Sequence, residues 1–225
     1  MPFPIFKLPV KFVIAGPSNA GKTFWVDKFL KWQNVVVQPP TTVVGEPIFK
    51  HIFVVYKTWQ PIYAEWKKKY AATFFTALPS NLEQILSTST TAHKLFFFDD
   101  ALFEQDLRIA DLFVRLGRHT QTSLILVTQN IFERSNKILR TVTLNATGLV
   151  LFRSLRDLSQ FRYLAVQITG GSGNGGKAKN LMDAFLDATT GQEFGYLFIN
   201  LDPRMPPELQ FMANIFNYSP IVYKI

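Results

Sequence analysis

The chain has 225 residues, 48% hydrophobic and 18% charged, enough to bury one sizeable core, so a single domain over residues 1–225 is expected. Cysteine is absent and the three histidines are scattered, which excludes disulfides and thiolate metal sites and leaves little for a zinc centre; any metal is expected to be Mg2+ held by oxygen. A net charge of +8 favours an anionic partner, while the start MPFPIFKLPVKF lacks the order of a secretory signal and no apolar run is long enough to span a bilayer, so the chain reads as soluble and intracellular.

In chain order, apolar runs suited to buried strands fall at Lys11–Ala15, Ile48–Tyr56, Thr73–Leu78, Lys94–Phe98, Ser123–Val127 and Thr147–Phe152. Helical spacing lies between most of them. After Lys22, the residues Trp25, Val26, Phe29 and Leu30 share one helix face, and Ser80 with Glu83 forms a capping box ahead of Leu82, Ile85 and Leu86. Lys67, Lys68 and Lys69 read as a solvated helix face. A helix starting near Leu102 is expected to stop at Gly117. Later come helices near Leu155–Gln167 and Ala178–Ala188 and short strands at Tyr196–Ile199 and Ile221–Tyr223. Strand followed by helix, repeated, predicts an α/β fold: a mainly parallel central sheet with helices on both faces.

The strand at Lys11–Ala15 runs into Gly16-Pro17-Ser18-Asn19-Ala20-Gly21-Lys22-Thr23, a complete G-x-x-x-x-G-K-[ST] pattern that opens an amphipathic helix. Strand, glycine loop and helix together are the context of a P-loop rather than of an ordinary glycine turn. Its glycines let successive N–H groups point inward at phosphate oxygens, and the helix N-terminus adds partial positive charge. Lys22 is expected to reach the β- and γ-phosphates of ATP and the Thr23 hydroxyl to ligate Mg2+. A second glycine stretch, Gly170–Gly176 followed by Lys177, is expected to be a flexible loop and a decoy. Ala178 supplies no hydroxyl there, and no strand leads into it.

Leu95-Phe96-Phe97-Phe98 ends in Asp99-Asp100, and carboxylates at the C-terminal edge of such a strand sit where open α/β sheets bind ligands. Asp99 is the candidate Mg2+ partner and Asp100 the candidate base for the attacking water; a strand end or helix cap is the plainer alternative. Gly117 as a helix stop places Arg118 past the helix and before the strand that ends at Gln129. Gln129 can hydrogen-bond the γ-phosphate or the attacking water, or be no more than a satisfied strand-end amide. All the arginines lie between Arg108 and Arg204, which hints at phosphate contacts in the second half of the chain.

Gly16 to Thr23, Asp99-Asp100, Gly117-Arg118-His119, Thr128-Gln129-Asn130 and Gly195 to Asp202 together resemble the poxvirus-type viral DNA-packaging ATPases of the FtsK–HerA superfamily. The resemblance implies a RecA-like core with its catalytic strand pair side by side and a ring homo-oligomer, hexamer or pentamer. It also implies ATP-driven movement of double-stranded DNA into a preformed capsid, with capsid or portal-vertex proteins as partners in a virion or an infected-cell cytoplasm. Arg118 is then the finger that reaches a neighbouring subunit's γ-phosphate. Its rival Arg115 is expected to pair with Asp111 four residues back. Cellular members usually carry Asp-Glu where this chain has Asp99-Asp100.

A small P-loop kinase and an assembly factor that binds nucleotide without turnover are the other readings. Gln129 at the strand tip favours the motor over the kinase, because a transferase must exclude water.

Overall fold

The computed structural model describes residues 5–38, 46–87, 92–100, 106–131, 136–154, 158–171 and 175–225. Its sheet contains β1 (Lys11–Ala15), β2 (Phe49–Tyr56), β3 (Thr73–Phe75), β4 (His93–Asp99), β5 (Thr122–Thr128), β6 (Gly148–Phe152), β7 (Tyr196–Asn200), β8 (Phe211–Ala213) and β9 (Ile221–Val222), in the order β3-β2-β4-β5-β1-β6-β7-β8-β9. The six strands from β3 to β6 are parallel and the last three are antiparallel additions. The parallel strands are near-continuous apolar runs because both faces are covered.

Alternation along each strand divides the core in two. Phe12 and Ile14 of β1, Leu95 and Phe97 of β4, and Ile125 and Val127 of β5 meet α1 (Lys22–Val36) and α2 (Ile62–Tyr70). Val13, Phe96, Phe98, Leu124 and Leu126 face the other way. That second face is covered by α3 (Leu82–Ser87), α4 (Leu107–Asp111), α6 (Lys137–Leu144), α7 (Leu158–Ile168) and α8 (Gly175–Thr189), with α5 (Gly117–His119) running into β5. The sheet is thus α/β with helices on both faces, as the alternation predicts.

β5 pairs with both β1 and the acid-bearing β4 and lies between them. Two expectations are corrected. Gly117 does not stop its helix: at φ −56° and ψ −36° it continues a π-helical turn, Leu112–Leu116, into α5. A Cβ on Gly117 would sit 3.0 Å from Leu112 O and 3.1 Å from Thr122 O, so glycine permits close approach to β5. The left-handed turn comes later, at Gln121. Gly175 and Gly176 belong to the first turn of α8 rather than to a loop, and among the described residues α7 is the element that precedes them. Residues 101–105 and 172–174, where a helix start and the middle of the glycine stretch were expected, lie outside the described residues.

Two buried polar groups fasten α1 to α2. The Asp27 carboxylate, 2% exposed, accepts a 3.0 Å hydrogen bond from Trp66 Nε1 and pairs with Lys31 at 2.5 Å. Among the described residues no helix is long and apolar enough to cross a membrane. Asp27→Ala should leave the Trp66 indole N–H buried without an acceptor and lower unfolding free energy by about 1–3 kcal/mol in urea titrations.

Candidate functional site

The site forms at the C-terminal ends of three parallel strands. Their register is level: Ala15 pairs with Thr128, and Asp99 with Val127. Gly16 N donates to Thr128 O at 3.3 Å, and Asp100 N to Val127 O at 3.3 Å, so β5 holds the chain leaving each neighbour. The phosphate-loop residues, the two acids and Gln129 therefore emerge along one edge.

The loop turns through left-handed backbone at Asn19, φ 62°, and at Gly21, φ 94°, where α1 begins. Asparagine and glycine are the residues that accept this conformation most readily. Lys22 is half-buried rather than exposed. Its Nζ donates to Gly16 O at 2.8 Å and to Pro17 O at 2.7 Å, closing over the loop. Burial pushes the ammonium below the ordinary lysine range, while Asp100 and Asp99 act against that shift. Thr23 follows, half-buried, in the first turn of α1.

Asp99 is 7% exposed and points to the α1–α2 side of the sheet. Its Oδ2 accepts from Gln60 Nε2 at 2.6 Å and from the Tyr63 hydroxyl. Burial raises the Asp99 carboxyl above the ordinary carboxylate range. The Tyr63 hydrogen bond and Lys22 pull it down, and Asp100 adds to the rise. Tyr63 is itself raised far above the ordinary tyrosine range, first by burial and then by Asp99, so it stays a donor. Both donors engage one oxygen, which leaves Oδ1 for another ligand. Sequence periodicity gave no signal for Gln60 or Tyr63, which meet Asp99 only through the pairing of β2 with β4.

Asp100, just beyond the strand, is left-handed at φ 54° and half-buried. Gln129 Nε2 donates to its Oδ2 at 3.4 Å, so the two residues proposed to handle water touch. Beside them a small cleft is lined by Gly16, Gln129, Asn130, Ser154, Gln160 and Phe161.

Arg118 does not join this edge. It lies in α5, one short turn before the start of β5, and its side chain is outside the described residues. Seven residues of β5, Thr122–Thr128, separate that end of the sheet from Gln129, roughly 20 Å of extended chain. Arg115 pairs with Asp111 at 2.7 Å, as its helical spacing predicts. Arg108 and Arg204 are likewise held by Asp106 and Asp202, so part of the arginine bias is local ion pairing.

No protein-family model and no curated protein sequence matches the chain. Among solved structures it is similar to the genome packaging NTPase B204 from Sulfolobus turreted icosahedral virus 2, solved in complex with AMPPCP. The TM-score is 0.51 and the identity 13%, covering 96% of this chain and 98% of that one. At that identity the likeness shows a shared fold.

The hold on Asp99 yields a measurable coupling. Tyr63→Phe keeps the ring but removes a donor to a buried carboxylate, and should destabilise the protein by about 1–3 kcal/mol. In a double-mutant cycle with Asp99→Asn, unfolding free energies should be clearly non-additive; additive values would mean that the two groups do not interact.

Proposed function

We propose that this chain is an ATP-hydrolysing motor that moves double-stranded DNA into a preformed viral capsid, as a single P-loop domain working in a ring. The observation that carries the reading is the level ending of β1, β5 and β4, which gathers Lys22, Asp99, Asp100 and Gln129 at one sheet edge. The fold likeness to a viral genome packaging NTPase solved with AMPPCP, a non-hydrolysable ATP analogue, supports both the nucleotide and the role.

In this reading the phosphates of ATP lie over Gly16 to Thr23, and Lys22 leaves the loop carbonyls for the β- and γ-phosphate oxygens. Thr23 and Asp99 fit Mg2+: a hydroxyl and a carboxylate oxygen are hard donors, and one or two such groups plus substrate phosphates are the usual set. Bound there, the ion would neutralise charge on the phosphates. Among the described residues no cluster of three acidic or histidine side chains offers an all-protein cage, in keeping with a metal that arrives with its nucleotide. Asp100 takes a proton from water as the water oxygen bonds the γ-phosphorus, and the bond to the β–γ bridging oxygen breaks. Gln129, touching Asp100, orients that water. A transferase has no use for such a pair, which supports hydrolysis over kinase chemistry. The far-end position of Arg118 supports a finger that acts on a neighbouring subunit, since its own phosphate loop lies across the length of β5.

ATP turnover measured with and without duplex DNA tests the motor: DNA should raise the rate, and a rate indifferent to DNA would reject it. Lys22→Ala should abolish hydrolysis, because it removes the charge at the phosphates. Asp99→Asn should weaken Mg2+-dependent nucleotide binding, whereas Asp100→Asn should bind ATP and fail to cleave it.

The finger gives a separate expectation. Arg118→Ala should lower turnover by about three to five orders of magnitude with ATP affinity nearly unchanged. Mixed with Lys22→Ala subunits, it should regain hydrolysis that neither variant shows alone. Assembled mixtures that stay inactive at every ratio would overturn the trans assignment and leave Arg118 structural or acting within its own subunit.

A further inference from the structure

Next to the phosphate loop, on the side away from the acids, two aromatic rings stand exposed. Phe24 directly follows Thr23 in the first turn of α1 and is 41% exposed; Phe194, in the turn entering β7, is 38% exposed. Their ring centroids are 5.3 Å apart with planes 49° to one another, so the rings are tilted rather than stacked flat. Burying such rings is the ordinary outcome in a core, and here both lie at the surface beside the loop.

Phe194 is held there at a cost. Its backbone is left-handed, φ 57°, a conformation that disfavours any residue with a side chain. Its ring rests on Gly21, where an added Cβ would come within 2.5 Å of Cδ1. The turn that carries it is tied to the end of β6, as Arg153 Nη1 donates to Thr190 Oγ1 at 2.8 Å. Lys28 Nζ lies 4.8 Å from the Phe24 ring centroid, which places a cation on one face of that ring.

We infer that Phe24 and Phe194 form the platform on which the nucleobase of the bound nucleotide stacks. This rests on the phosphate-loop reading and deepens it. The direction follows from the sheet order: Asp99, Asp100 and Gln129 lie on the β4–β5 side of β1, so the γ-phosphate end of a nucleotide spanning the loop faces that way. The ribose and base must then leave toward β6 and β7, where Phe194 sits. Phe24 stands one residue past Thr23, at the point where the α-phosphate end meets the helix. An aromatic face suits a base because every nucleobase offers a π-surface, and the pair supplies affinity without reading exocyclic groups.

The test is titration calorimetry of the purified full chain with Mg·ATP and with Mg·tripolyphosphate, which has phosphates but no base. The wild type should bind ATP more tightly than tripolyphosphate. In Phe24→Ala, a surface change, that preference should shrink by about five- to a hundredfold, the range expected for one base–aromatic stack. Phe194→Leu, which keeps an apolar contact on Gly21 while removing the ring, should shrink it too. A preference left intact in both variants would overturn the platform while the phosphate loop stands. If Lys22→Ala binds both ligands as the wild type does, the phosphate-loop reading falls and the platform falls with it.

Discussion

Everything at the candidate site depends on parallel strands ending level. β5 is the reference: it pairs with β1 on one side and β4 on the other, and the ladders extend one residue beyond each neighbour through Gly16 N and Asp100 N. A register slip of one residue would turn every side chain of the slipped strand to the opposite face. Asp99 would then leave Tyr63 and Gln60 for the other side of the sheet. Register is enforced by the core itself, because both faces of these strands are buried and the slipped pattern would have to be accommodated in two packed layers.

The two layers differ in composition and in what they support. The α1–α2 side is dense in aromatics, with Phe12, Trp25 and Phe29 packed against one another and Phe198, and Trp66 on Phe97. It also carries the polar ties, Asp27 to Trp66 and Asp99 to Tyr63. Large rigid rings bury much area with few rotamers, so they position such ties well. The opposite layer is richer in aliphatic side chains from α6, α7 and α8. Asp99 thus faces the aromatic layer, whereas Asp100 and Gln129 stand at the more open rim.

Much of this was legible in the sequence, for a physical reason. Buried strands must be apolar runs, so β1 and β6 were placed to within a residue, and the glycine-lysine-threonine loop announces itself through the backbone it requires. What was hidden depends on tertiary contact. The three-residue β8 is too short to show a period and exists as a strand by pairing with β7 and β9. Gly117 has the composition of a helix stop, yet its role is steric, set by Thr122 O and Leu124 across the gap. Gln60, Tyr63 and Phe194 carry no motif, because each reaches the loop or the acids from an element distant in sequence.

The left-handed backbone of Asp100 bears on where its carboxylate can point. Short side chains that can bond back to their own backbone accept positive φ readily, and aspartate is among them. The turn lets Asp100 N close onto Val127 O while its Oδ2 accepts from Gln129 Nε2 at 3.4 Å. One residue therefore closes the β4–β5 ladder through its backbone and turns its carboxylate toward the chain leaving β5, so the handedness of that turn aims the acid as well as ending the strand.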